Sequence, residues 1–223
     1  IESSQRIDGI RLAPPFRGEP GVNKSGFFNN FNSGKQSVTL DMHSEGGVSV
    51  AERLITVADI VADNFSPGVL AGFGLTDKRI HELNPRAVVL HMPMGGTSGE
   101  LCKAVGFGAT IEAVSGLVHL MGDPDRTPVG TEVNYPDYGS NPYHAATALI
   151  AGLLAARGSG AGQVIELAQV ESTISFIGEA LVEAQRTGMS PSRQGNVAAD
   201  CVFNEVLRCR GDDQWCAVSC RDE

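Results

Sequence analysis

This chain is short of what a nucleic-acid or membrane partner would need. Its 223 residues carry 17 Lys and Arg against 26 Asp and Glu, a net charge of −9. No stretch gathers basic side chains, which argues against a nucleic acid or an anionic membrane surface as partner. No run reaches the ~18 apolar residues of a membrane span. Aromatics make up 6% of the chain, with a single Trp. Several motifs are missing too. There is no G-x-G-x-x-G after a strand and no P-loop lysine in "MGGTSGE" (94–100), which reads as a phosphate nest or a plain tight turn. No G-x-S-x-G elbow is present. The five histidines never pair at i, i+4, so a zincin helix is excluded, and His91 and His119 read as satisfied core or edge residues. Five cysteines, an odd number without tight spacing, read as reduced thiols of a cytoplasmic protein. Cys209, Cys216 and Cys220 fit a zinc site poorly, and small buried apolar residues are the ordinary reading. No metal site is expected.

What is present is an alternation of strand-like and helix-like runs. Strands are expected at 36–42, 59–65, 86–94 and 162–168. Helices are expected at 45–58, 76–83 (with Thr76 as N-cap), 108–122 and 169–188, and a long one starts near Pro142. That order means an α/β fold, Rossmann-like, with a mostly parallel buried sheet. Residues 1–188 read as the large domain, 189–200 as a polar linker, and 201–223 as a strand–turn–strand opening a smaller second domain. Both ends look cut, so a piece of a longer polypeptide is expected.

One acid stands out in "VNYPDYGSNPYHAATALIAGLLAA" (133–156). Asn141 before Pro142 supplies an N-cap with proline at N1, so Asp137 lies four residues too early to cap that helix. The helix behind it is apolar on all sides and reads as buried. Its amino end would present free N–H groups and a positive dipole end. Asp137 therefore reads as either a turn acid or a nucleophile or base.

Four segments resemble the class III CoA-transferases, the family of formyl-CoA transferase, carnitine CoA-transferase and α-methylacyl-CoA racemase. They are "NSGKQSVTLD" (32–41), "ADIVADNFSPGVLAGFGL" (58–75), "LNPRAVV" (83–89) and residues 137–171, in the family's order. The resemblance implies that Asp137 is the catalytic aspartate, forming an aspartyl covalent intermediate as CoA passes from an acyl-CoA to a carboxylic acid. Coenzyme A would be bound as a thioester substrate, with no permanently bound cofactor. Its contacts would come from Leu40, Asp41, Met42, His43, Asn64, Phe65, Ser66, Ala104, Val105, Gly106 and Phe107. Backbone N–H groups near Gly139 and Ser140 are the candidate oxyanion donors. The family's racemases place a histidine base where Phe107 stands, so an acyl-CoA racemase is disfavoured. Phe107 itself reads as pocket lining or plain core. The sequence departs from the family at basic positions, with Ser3, Ser66, Gly72 and Val105 where a basic residue is common. A non-catalytic CoA-binding half of a fused protein is therefore a third reading. The resemblance also implies an interlocked homodimer.

Overall fold

The computed structural model describes residues 1–221. The main chain of the first part forms α1 (Gly26–Phe31), α2 (Glu45–Ile55), β1 (Ile60–Asp63), α3 (Val69–Gly72), α4 (Asp77–Leu83) and β2 (Val88–His91). Then come α5 (Gly108–Ser115), α6 (Asn141–Ser159), β3 (Val164–Glu166), α7 (Gln169–Ile174) and α8 (Gly178–Thr187). A hairpin of β4 (Phe203–Arg208) and β5 (Trp215–Cys220) follows. The sheet order is β1-β2-β3, parallel throughout, with Asp63 opposite His91 and His91 opposite Glu166. The α/β class with a parallel sheet agrees with the sequence.

β2 is the centre of this sheet, and Val88, Val89 and Leu90 are at most 1% exposed. Helices cover both faces of a parallel sheet, so its central strand reads as an unbroken apolar run. One cluster joins Ala51 and Ile55 of α2, Ile80 of α4, Leu75, Ala87 and Val89, with Leu40, Met42, Val61 and Leu70 around it. A second joins Met94, Ile111 and Val170, with Ala104 and Ile174 alongside. Helix starts follow the sequence. The Ser44 and Thr76 side chains accept the N–H groups of Gly47 and Arg79, the usual N-cap bond.

Several expectations need correction. Residues 36–42 form no strand. Thr39 makes one parallel bridge, with Glu2, through the bonds Glu2 N–H to Val38 O and Leu40 N–H to Glu2 O. The helix expected over 108–122 stops at Gly116, whose φ of +86° is a left-handed C-cap suited to glycine. The helix expected over 169–188 is three pieces. A 3₁₀ turn at Ser175–Ile177 separates α7 from α8, and Ser175 Oγ donates back to Ser172 O. The apolar helix α6 is not buried all round: Tyr143, Ile150 and Leu154 are 69%, 59% and 64% exposed. Its contact with the sheet is made by small residues instead, as Ala145, Gly152 and Ala156 are buried. Cys209, Cys216 and Cys220 are exposed, not buried.

The segment read as a linker is tied down. Arg193 donates to the carbonyls of His119, Asp123 and Arg126. Asp222 and Glu223, the end of the expected second domain, lie outside the described residues.

Gly162 enters β3 with no room for a side chain, since a Cβ there would lie 1.9 Å from Ala87 O. Gly162→Ala should therefore cost about 1–3 kcal/mol. Gly158→Ala, in open space on α6, should stabilise by up to about 1 kcal/mol. Urea midpoints of the two variants check this, and equal midpoints would contradict it.

Candidate functional site

The candidate residues collect at the carboxyl edge of the sheet. Asn64, Phe65 and Ser66 leave β1, the 94–107 segment leaves β2, and α6 brings Asp137 to the same edge at its amino end. Ligands in open α/β sheets bind in the crevice outside the carboxyl ends of the strands.

Asp137 sits in a single wide π-type turn, Pro136–Ser140, that runs straight into α6. Such turns occur often at functional sites. This geometry corrects the expected cap. Asn141 is helical, with φ −58° and ψ −45°, and its N–H bonds to Pro136 O. Its side chain is buried and does structural work. Asn141 Nδ2 donates to Gln169 Oε1 (3.1 Å), and Gln169 Nε2 donates to Met92 O (2.6 Å). The amino end of α6 is thereby tied to the end of β2.

The Asp137 carboxylate has a backbone donor that the sequence did not indicate. Gly108 N–H, in the first turn of α5, donates to Asp137 Oδ2 at 3.1 Å. Gly139 instead lies against the Tyr135 ring, where a Cβ would come within 2.6 Å of ring carbon. Glycine is required at 108 as well. A Cβ there would meet Asn134 Cα at 2.7 Å. Ala109 N–H donates to Asn134 Oδ1 (3.3 Å). The segment 134–137 thus lies directly on the start of α5, where free N–H groups and the positive dipole end favour an anion.

The carboxylate reaches the surface, yet its pKa is raised above the ordinary aspartate value. Loss of hydration is the main cause, the Gly108 N–H opposes it, and the negative charge of Glu112 adds to it. The Tyr138 phenol on the same turn is raised as well, by lost hydration and then by Asp137 and Glu112. The Tyr138 ring stacks on Phe31 of α1 (centroids 5.4 Å apart). Tyr135 meets Phe176 edge-on. Phe31, Gly108, Glu112, Tyr135 and Tyr138 were not singled out from the sequence. The "FGAT" start of α5 was the one available signal.

The other predicted residues fall into two groups. Ala104 packs into the second core cluster, while Val105 and Phe107 are exposed and flank Gly106. Phe107, at 77% exposure, is not plain core. Gly106 is held against Thr110, which a Cβ would contact at 2.6 Å. Farther along the edge, Leu40 and Met42 pack into the first cluster. Asp41 Oδ1 accepts the His43 N–H (3.0 Å), and the His43 ring meets Phe73. A cavity of about 290 Å³ opens beside Phe65 and Ser66, lined also by Asp63, Asp77, His91 and Glu166. No Lys or Arg lines it among the described residues.

His91 is satisfied, as expected. Its Nδ1 meets Asp63 Oδ2 at 2.7 Å and its Nε2 meets Asp77 Oδ1 at 2.8 Å. Burial works against its charge, but the two carboxylates outweigh it and the pKa is raised. The 94–100 loop is a turn tied to a carboxylate. Thr97 N–H donates to Glu166 Oε1 (2.7 Å), and the Thr97 hydroxyl bonds the other oxygen. These bonds hold the Glu166 pKa below the ordinary value.

With this geometry in place, the comparisons with known proteins decide the family. The model for "CoA-transferase family III" matches residues 1–223. The chain belongs to CoA-transferase family III. A succinyl-CoA–D-citramalate CoA-transferase of Chloroflexus aurantiacus is 29% identical over 217 residues, covering 94% of this chain and 54% of that protein. A succinate–glutarate CoA-transferase of Agrobacterium fabrum is 29% identical, covering 93% and 52%. Among solved structures, a CaiB/BaiF family protein from Brucella suis aligns with a TM-score of 0.86 at 27% identity, covering 96% of this chain and 56% of that one. The chain spans about half the length of these family III relatives.

The two raised pKa values give pH dependences of the same sign. A carboxyl whose folded pKa is raised stabilises below its unfolded pKa, and that contribution is lost as pH rises through the folded value. Asp137→Asn, which keeps an acceptor for Gly108, should therefore raise Tm at pH 7 and leave it unchanged near pH 3. A Tm gain that is the same at both pH values would contradict the desolvation account. For His91, also raised, the ion pairs contribute below pH 6.5 and fade as pH climbs through the folded value. Wild-type Tm should fall as pH rises from 6.5 through the folded pKa, and His91→Gln should flatten the fall.

Proposed function

We propose that the protein transfers CoA from an acyl-CoA thioester to a carboxylic acid, with Asp137 as the nucleophile. The observation that carries this reading is the Asp137 carboxylate, held at the carboxyl edge of the sheet by one N–H and open to solvent, in a family III chain. The names of the relatives, CoA-transferases acting on several acids, support the reaction class.

The chemistry follows from the carboxylate. An Asp137 oxygen attacks the thioester carbonyl carbon, a C–O bond forms and the C–S bond breaks. CoA leaves as thiolate, and a mixed anhydride remains. The thiolate then attacks the Asp137 carbonyl and expels the donor acid, leaving an aspartyl-CoA thioester. The acceptor carboxylate repeats the sequence in reverse. Covalent catalysis divides one hard exchange into easier ones. Oδ2 holds the Gly108 bond, which leaves Oδ1 to attack. When the thiolate later attacks the Asp137 carbonyl, charge develops on the bonded oxygen, which the α5 amino end faces.

Phe107 speaks against racemisation, since an exposed phenyl next to Gly108 accepts no proton. CoA is taken by the loops at 40–43, 64–66 and 104–107. Ser66 and its acid-lined cavity offer no cation for a phosphate, so there backbone and the Phe65 ring do the holding. We also propose a cytoplasmic homodimer, in which the exposed face of α6 meets a partner.

The test is mass spectrometry of the full-length protein with a panel of acyl-CoAs, before and after Asp137→Ala. A mass gain on the peptide carrying Asp137, lost in the variant, is expected. Turnover with no adduct at Asp137 would overturn the mechanism. Deuterium uptake at the α-carbon without an acceptor acid would point to an isomerase instead.

A further inference from the structure

Glu112 is a carboxylate buried in α5, 3% exposed, and the scheme above gives it no part. An ionised carboxylate is costly to bury unless donors meet it. Both of its donors come from the segment that leads to Asp137. The Thr131 hydroxyl bonds Oε1, and Tyr135 N–H donates to the same oxygen at 3.2 Å. Glu112 follows Gly108 by one helical turn, so the two share a face of α5. That face grips the segment twice, at Tyr135 through Glu112 and at Asp137 through Gly108. The Tyr135 ring in turn lies under Gly139, within the Asp137 turn.

We propose that Glu112 is a positioning residue for Asp137, anchoring the turn through Tyr135 while setting a fixed negative charge behind the nucleophile. The inference rests on the reading of Asp137 as the attacking carboxylate. The charged and titratable groups facing Asp137, among the described residues, are Glu112 from α5 and the Tyr138 phenol on its own turn. From α7 the turn meets a hydroxyl, Ser140 against Thr173 (3.4 Å), and from α6 the Asn141 N–H. His144 of α6 is bonded to Ser172. Glu112 is therefore the charge that tunes Asp137. A like charge makes the aspartate a stronger base, closer to the simple aliphatic acids whose acyl groups it exchanges. The nucleophile then attacks the thioester more readily, and each exchange lies nearer balance.

The experiment is a pH titration of the full-length protein with ¹³C-carboxyl-labelled aspartate, the Asp137 signal assigned by its loss in Asp137→Asn. In Glu112→Gln the Asp137 midpoint should fall below that of the wild type, and the acid limb of kcat against pH should move with it. kcat should drop about tenfold at nearly unchanged KM. Glu112→Asp, which keeps the charge, should keep the raised midpoint. An unmoved Asp137 midpoint in Glu112→Gln overturns the proposal, whatever the loss of stability. Should Glu112→Gln not fold, Thr131→Val keeps the charge and removes one anchor. Its kcat should fall several-fold at unchanged KM, and an unchanged kcat overturns the anchoring. The titration needs no turnover, so its failure is separate from the failure of Asp137 to form an adduct.

Discussion

The contact between the start of α5 and the turn at Asp137 is the constraint on which the site depends. It exists because residue 108 has no side chain. With a Cβ at 108, Asn134 would have to retreat, and the Gly108 N–H would no longer reach the carboxylate. Helix amino ends favour anions through aligned N–H groups, but only for a group that comes close enough. Here the close approach is made by backbone against backbone. The remaining supports then follow. Ala109 holds Asn134, Asn141 and Gln169 tie α6 to β2, and Phe31 stacks on Tyr138. The carboxylate is thus fixed from α1, α5 and α6 at once while one face stays open.

A second constraint acts farther along the same edge. β1, β2 and β3 end side by side on Asp63, His91 and Glu166. Three carboxylates there, counting Asp77, share one histidine and one threonine. His91 joins β1 to the first turn of α4, and so holds the 64–76 loop from both ends. Thr97 and Glu166 hold the loop after β2. The polar groups in this cavity are spent on one another. A phosphate arriving there would meet acids and no cation.

Most of the scaffold was legible in the sequence because it rests on local signals. The runs at 59–65 and 86–94 are β-branched and apolar, and they contain β1 and β2. Thr76 marks the start of α4 with a cap that the structure uses. Gly188 ends α8 as expected. The failures have a common cause in tertiary context. "QSVTLDM" has strand propensity but finds a single bridge to Glu2, and a strand needs a ladder. "HAATALIAGLLAA" is apolar throughout, yet the residues it fully buries are small ones, Ala145, Gly152 and Ala156. Asn141 has the chemistry of a cap, but the π-type turn carries the helix through it and draws its amide to Gln169. Asp137 was legible as an unusual acid. Its partner was not, because Gly108 lies far away in sequence and no local rule links a glycine N–H to a distant carboxylate. Glu112 was hidden for the same reason: on its helix it is one polar residue among small and apolar ones.

In the proposed mechanism, the interactions that raise the pKa of Asp137 also bear on its acylation. Protonation and acylation both remove the carboxylate's charge. Lost hydration and the charge on Glu112 penalise the anion and leave a neutral ester or anhydride unaffected. Whatever lifts the pKa therefore favours the covalent intermediate over the free carboxylate by the same physical route. The Gly108 N–H works in the opposite sense, and this sets a limit. Without it the pKa would be raised further, and the carboxyl would spend more of its time protonated, unable to attack. With too many donors it would be a weak nucleophile and a good leaving group. One donor set against lost hydration and one like charge leaves an anion that an acyl group readily discharges. For an exchange among acids of similar strength, that intermediate setting suits both directions of the reaction.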